Sequence, residues 1–236
     1  MLRQRLQLLA RRHPRYGYRR IHAILRREGW VCNRKRVQRL WRDEGLRLPV
    51  RPKRRRRGQR MPGHLTALAP NEVWAIDFVS DRTADGRPIK ILTVTDEHTR
   101  EALATPAARR MGADDAVNAL ERIVEWRGQA PKMIRCDNGP EFVSQSLRDW
   151  CRFNRAGTGY IEPGAPWQNP FVESFNGHLR RELLEMESFN SLFEAQLLLE
   201  DWRLEYNHYR PHQSLNYMTP AEYAHRCTTE NQPELS

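Results

Sequence analysis

An acid sits inside an otherwise apolar, strand-like run: Val73-Trp74-Ala75-Ile76-Asp77-Phe78-Val79-Ser80. A buried carboxylate is costly unless it meets a cation or hydrogen-bond donors, so the fold must bring a partner to Asp77. The turn Ala84-Asp85-Gly86-Arg87 and a branched run from Ile89 to Thr95 follow it, which predicts a hairpin. A weaker strand over Glu101 to Ala107 completes an antiparallel meander. Val117, Leu120 and Val124 recur at helical spacing between Ala113 and Trp126, which predicts an amphipathic helix. A short strand over Lys132 to Cys136, a helix over Phe142 to Phe153 and a strand over Gly159 to Glu162 come next. Pro163 to Asn169 reads as a Gly/Pro loop, either a plain connector or a segment that orders over substrate. Pro170 suits the first position of the following helix, and a last amphipathic helix covers Leu192 to Tyr209. This order of elements is that of an α/β fold, a mixed sheet flanked by helices.

Charge divides the chain in two. Of 236 residues, 40 are Lys or Arg and 29 are Asp or Glu, a net +11. Residues 1–60 hold 22 of the bases and 3 of the acids, so that stretch is +19 and the remainder −8. A basic module ahead of a mildly acidic one points to a polyanion such as nucleic acid. Residues 1–46 read as helices. Ile21, Ile24 and Leu25 share a face, and Gly29 ends that helix. Asn33 suits the N-cap of the next, with Val37, Leu40 and Trp41 inward, and Gly45 terminates it. Arg34, Lys35, Arg36 and Arg39 then lie outward on the second of two short helices, the layout of a helix-turn-helix that enters a major groove. Residues 47–70 read as a basic, Pro-containing linker whose run Lys53, Arg54, Arg55, Arg56, Arg57 suits phosphate tracking without base specificity. Residues 71–225 hold the alternating strands and helices, and 226–236 is expected to be a disordered tail.

Other classes find little support. No run of eighteen apolar residues offers a membrane span, and the N-terminal stretch lacks the pattern of a secretion signal. The four cysteines, Cys32, Cys136, Cys151 and Cys227, form no close pairs, which favours neither a zinc knuckle nor a disulfide framework. A reducing, cytoplasmic setting is expected.

Two further acids complete a constellation. Asp137 closes the fourth strand, and Glu173 lies in the first turn of the helix after the loop. If the first and fourth strands are neighbours, Asp77 and Asp137 share a cleft that Glu173 closes. Three convergent carboxylates repel one another, and divalent cations relieve that. Mg²⁺ takes oxygen ligands, and two ions about 3.5–4 Å apart serve an in-line phosphoryl displacement. Each acid alone has a plainer reading: Asp77 paired with an arginine, Asp137-Asn138-Gly139 as a turn, Glu173 as a helix-dipole partner.

The motifs resemble the DDE transposases and, more distantly, retroviral integrases. Asn71-Glu72-Val73-Trp74-Ala75-Ile76-Asp77, Cys136-Asp137-Asn138-Gly139-Pro140-Glu141-Phe142 and Asn169-Pro170-Phe171-Val172-Glu173-Ser174-Phe175-Asn176 look like the three catalytic motifs of OrfB-type proteins in the insertion-sequence-three group. Tyr16 to His22 and Asn33 to Leu40 look like that group's helix-turn-helix, and Tyr206 to Leu215 with Thr219-Pro220 like its C-terminal signature. The 35 residues between Asp137 and Glu173 match the family spacing. The resemblance implies a ribonuclease-H-like fold, Mg²⁺ or Mn²⁺ as two ions held by Asp77, Asp137 and Glu173, and DNA cleavage followed by strand transfer at insertion-sequence ends. It also implies contact of Arg180 with double-stranded DNA, with Asn138 a further candidate, an upstream OrfA-type partner or fusion, and homo-oligomers on DNA. A purely hydrolytic nuclease and a non-catalytic DNA-binding repressor remain the alternatives.

Overall fold

The computed structural model describes residues 1–48, 67–160 and 170–230. The chain forms two units, one of the N-terminal helices together with Tyr209–Thr219, the other of the described residues up to His208 together with those from Pro220 onward.

In the first unit, α1 (Leu2–Arg12), α2 (Tyr18–Arg27) and α3 (Arg34–Asp43) pack around Leu6, Leu9, Ile21, Ile24, Leu25, Val37 and Trp41. The two turns take the form their residues call for. Asn33 caps α3 by accepting from the Lys35 amide at 2.8 Å, which satisfies a donor that the helix itself leaves open. Gly29 and Gly45 sit at φ +83° and +67° just past α2 and α3, a region costly for any side chain. The C-terminal strip belongs here as well. Tyr209 stacks on His13 at 5.1 Å, Arg12 lies over the Tyr209 ring at 5.6 Å, and Arg27 donates to the carbonyls of Tyr209 and Tyr217 at 3.2 and 2.9 Å.

The second unit holds one sheet in the order β3-β2-β1-β5-β6. Its strands are β1 (Val73–Arg82), β2 (Pro88–Asp96), β3 (Ala102–Ala104), β4 (Ala107–Ala108), β5 (Met133–Cys136) and β6 (Gly157–Tyr160). β1, β2 and β3 form the expected antiparallel meander, while β5 and β6 run parallel to β1. The single strand expected over Glu101 to Ala107 is split: β3 and β4 pair separately with β2, and Thr105-Pro106 lies between them. Proline has no N–H to give a ladder, and here it contributes its carbonyl, which accepts from the Leu92 amide at 3.0 Å.

Strand alternation sends the two sides of the sheet to different partners. Trp74 and Ile76 of β1, Leu92 and Val94 of β2, and Ile134 and Cys136 of β5 meet α4 (Ala113–Arg127) and α5 (Gln145–Phe153). The helix expected from Phe142 starts later, at Gln145, because Ser144 caps it, accepting from Leu147 N at 3.3 Å. Val79, Ile89 and Ile91 face the other way, against Leu179, Leu183, Ala195 and Leu199. Those residues come from α6 (Pro170–Leu179), a π-helical turn (Arg180–Leu184) and α7 (Leu192–His208). Asn207 of α7 serves the sheet edge as a strand would: its amide oxygen accepts from Ala102 N at 2.8 Å and its nitrogen donates to Ala102 O at 2.9 Å.

The chain thus has a mixed, ribonuclease-H-like α/β sheet flanked by helices, preceded by a small helix-turn-helix-like region. The disordered tail expected from residue 226 gives way to α8 (Pro220–Glu230), part of whose inner side packs on His98: Tyr223 lies 5.6 Å from that ring and Cys227 Sγ 3.7 Å from Nε2. Residues 231–236, most of the 47–70 linker with Lys53 to Arg57, and the 163–169 loop lie outside the described residues. Among the described residues no helix is long and apolar enough to cross a membrane.

Candidate functional site

The parallel pairing of β1 with β5 decides the site. Val73 pairs with Met133, Trp74 with Ile134 and Ala75 with Arg135. The last pair lies two residues before Asp77 on β1 and two before Asp137 past β5, so the register directs both acids to the same end of the paired strands. Alternation places both on the side opposite the Trp74–Ile76 core, the side that α6 covers. Asp77 is half-buried, and Asp137, just past the end of β5, is exposed.

Each acid is held locally. Asp77 Oδ1 accepts from Phe78 N at 2.8 Å and Oδ2 from Asn176 Nδ2 at 2.7 Å. Asn176 lies one turn after Glu173 on α6, so a single helix carries both the third acid and the amide that grips the first. Burial pushes the Asp77 carboxyl up to about 6, against hydrogen bonds that lower it, and the charges of Asp137 and Glu173 add to the rise. Burial also raises Glu173. Asp137 Oδ1 accepts from Gly139 N at 2.9 Å, and a Cβ built on Gly139 would stand 2.9 Å from that same oxygen. Any side chain at 139 would therefore push the Asp137 carboxylate out of this position.

The first turn of α6 is anchored just ahead of Glu173. Arg100, at a φ of +66° in the β2–β3 turn, lies over the Phe171 ring with its guanidinium carbon 3.7 Å from the centroid. Arg135 donates to both Glu97 carboxylate oxygens at 2.5 and 2.6 Å. Burial pushes Glu97 up to about 7 despite Arg135, which lowers it.

Among the described residues, no three His, Cys, Asp or Glu side chains surround a common point as a formed metal site. The donors present are nonetheless hard oxygens, and the Asn176 Oδ1, buried beside Asp77, has no hydrogen-bond partner. That is the chemistry of a hard divalent cation with its waters.

Arg34, Lys35, Arg36 and Arg39 are all exposed on α3 of the first unit. Asn138, Glu173 and Arg180 are exposed in the second, and Arg180 opens the π-helical turn rather than continuing α6. Three residues went unassigned from sequence. Asn176 carried a signal, its i+3 spacing from Glu173. Lys90 and Glu141, which form an ion pair, carried none, being 51 residues apart.

Comparison with known proteins agrees with this architecture. An HTH-like domain matches residues 2–55, and two forms of an integrase core domain match 67–166 and 154–220. Over 98% of its length the chain is 43% identical to an uncharacterized 31.7 kDa protein of insertion element IS407 from Burkholderia multivorans, covering 83% of that protein. It is 39% identical to a 39.2 kDa protein of insertion element IS476 from Xanthomonas euvesicatoria, over 96% of this chain and 65% of that one. It is 26% identical to transposase InsD for insertion element IS2D of Escherichia coli K12, over 89% and 73%.

Among solved structures, the simian T-cell lymphotropic virus intasome in complex with the PP2A regulatory subunit B56 gamma has a TM-score of 0.60 at 18% identity, covering 87% of this chain and 69% of that one. The HTLV-2 integrase catalytic core in complex with magnesium has a TM-score of 0.53 at 18% identity, covering 67% and 99%. At such identities the likeness is one of fold.

Sheet order and family matches define the class: a retroviral-integrase-like core of the DDE polynucleotidyl transferase superfamily, behind an HTH-like region. Within that class the chain belongs to the insertion-sequence-three family of insertion-element transposases.

Proposed function

We propose that this chain cleaves DNA strands at the ends of an insertion element and joins the freed ends to new phosphodiesters, with Asp77, Asp137 and Glu173 as the metal-holding acids. The observation that carries the reading is Asp77 itself. Its carboxyl is pushed up to about 6, chiefly by burial and also by the charges of the other two acids. A buried carboxylate among like charges is a poor structural choice and a good cation ligand.

Two Mg²⁺ or Mn²⁺ ions bound there would stabilise the attacking and leaving oxygens of an in-line displacement. The chain's part is positional. Asn176 and the Phe78 amide orient Asp77, Gly139 orients Asp137, and the Phe171–Arg100 contact sets the start of the helix that brings Glu173. Water attacks a phosphodiester and frees a 3′-hydroxyl, which attacks a second one. Each step makes one P–O bond and breaks another, and no protein–DNA bond forms.

On this reading Arg34, Lys35, Arg36 and Arg39 of α3 meet the element's double-stranded ends. Lys53, Arg54, Arg55, Arg56 and Arg57 track phosphates, and Asn138 and Arg180 contact DNA beside the acids. The modules run 1–46, 47–70 and 71–225, in the OrfB-type arrangement, with an upstream OrfA-type partner or fusion and a multimer pairing two ends. Nicking of supercoiled plasmid in Mn²⁺ tests the site. Wild type should nick, and Asp77→Ala, Asp137→Ala and Glu173→Gln should each abolish nicking while remaining folded. Nicking that survives all three substitutions refutes the assignment.

A further inference from the structure

We infer that Lys90 is a positioning residue that locks the segments carrying Asp77 and Asp137 to each other, an inference that rests on the proposed metal site. Lys90 lies on β2, one strand away from β1 and two from β5. Its ammonium makes three contacts at once. It pairs with the Glu141 carboxylate, donates to the Met111 carbonyl at 3.0 Å, and lies 4.1 Å from the centroid of the Phe78 ring. Three donors on a compact cation suit this arrangement.

Two of those contacts lead to the acids. Phe78 directly follows Asp77, and its amide is the one that Asp77 Oδ1 accepts from. Glu141 lies four residues after Asp137 in the loop that α5 follows, and Gly139 between them bonds Asp137. Phe142, next to Glu141 and only 1% exposed, stacks on Phe78 at 5.1 Å and 15°. The path from one acid to the other thus runs Asp77, Phe78, Lys90 or Phe142, Glu141, Gly139, Asp137.

Position is the point of this arrangement rather than stability. An ordinary, partly exposed ion pair contributes little to folding, and this one has side-chain exposures of 25% and 28%. The exposed loop, however, must hold Asp137 against repulsion from Asp77 until a cation binds. Two of its ties to the sheet through side chains are the Phe142 stack and this pair.

Mn²⁺ titration of the full chain by calorimetry tests this, alongside a thermal melt of each variant. Lys90→Met and Glu141→Gln should each weaken Mn²⁺ binding about ten-fold, the scale of losing an outer-shell contact. The double variant should be no worse than either single one, since both remove the same link. Wild-type Mn²⁺ affinity in two folded single variants overturns the inference alone. Mn²⁺ binding that persists unchanged in Asp137→Asn overturns the metal site and this inference with it. Glu141→Gln keeps the shape of the side chain, so it decides the matter if Lys90→Met fails to fold.

Discussion

Replacing Asp77 by asparagine should make the metal-free protein more stable, and the gain should depend on pH. The Asp77 carboxyl moves from an ordinary 3.8 to about 6 in the fold. A raised acid pKa means that the folded chain holds a proton that the unfolded chain has released. The sign follows: the stability is intact below about pH 4, declines as pH rises from there to about 6, and stays reduced above. Two pKa units correspond to about 3 kcal/mol at most, and partial access of water to the half-buried side chain brings the expectation to about 1–2 kcal/mol.

Asparagine has the shape of the acid without its charge. Its oxygen can keep the Phe78 amide, and its own amide then faces Asn176. That side chain can turn over to present Oδ1, the atom that lacks a partner. No hydrogen bond need be lost. In EDTA near pH 8, Asp77→Asn should melt about 3–6 °C above wild type for a unit of this size. Near pH 4 the two should nearly coincide. Glu97, raised to about 7, titrates in both proteins and cancels from the difference. Saturating Mg²⁺ should reverse the order by stabilising only wild type. A gain of the same size at both pH values, or none at either, would show that buried charge on Asp77 is not the cause.

Other expectations follow from neighbouring contacts. Gly139→Ala should abolish plasmid nicking with a stability change below about 1 kcal/mol, because the new methyl displaces the rotatable Asp137 carboxylate and crowds that of Glu141, both side-chain ends; nicking at the wild-type rate would contradict the close approach. Arg135→Met should cost about 3–5 kcal/mol in urea unfolding above pH 7, since it strands the Glu97 carboxylate. The cost should shrink below about pH 6, where Glu97 takes up a proton, and a pH-independent loss would argue against it. Tyr209→Ala should raise amide exchange in α1 and α2 and weaken the first unit by about 2 kcal/mol, less than a fully buried aromatic. Unchanged exchange there would place the C-terminal strip outside that unit's stability.

Much of the local structure was legible in the sequence because its causes are local. Apolar and branched runs marked β1 and β2, the Asn33 cap and the Gly29 and Gly45 stops framed α2 and α3, and an acid within an apolar strand marked Asp77. These features depend on side chains a few residues apart, where periodicity and capping act. Boundaries slipped where a nearby residue competed, as Ser144 did by capping α5 and Pro106 by interrupting the third strand.

Tertiary structure decided what each buried face meets. Periodicity says that one side of a strand is covered, not by what. The pairing of β1 with β5 joins residues 60 apart, the Asn176 grip on Asp77 spans 99, and the Arg27 bonds to Tyr209 and Tyr217 span 182 and 190. Such contacts are chosen by the total burial and hydrogen bonding of the whole unit, which no short window of sequence contains. So the sequence by itself pointed to the three acids, while only the fold brought Asn176 to Asp77, joined Lys90 of β2 to Phe78 and Glu141, and returned the chain's C-terminal strip to its first helices.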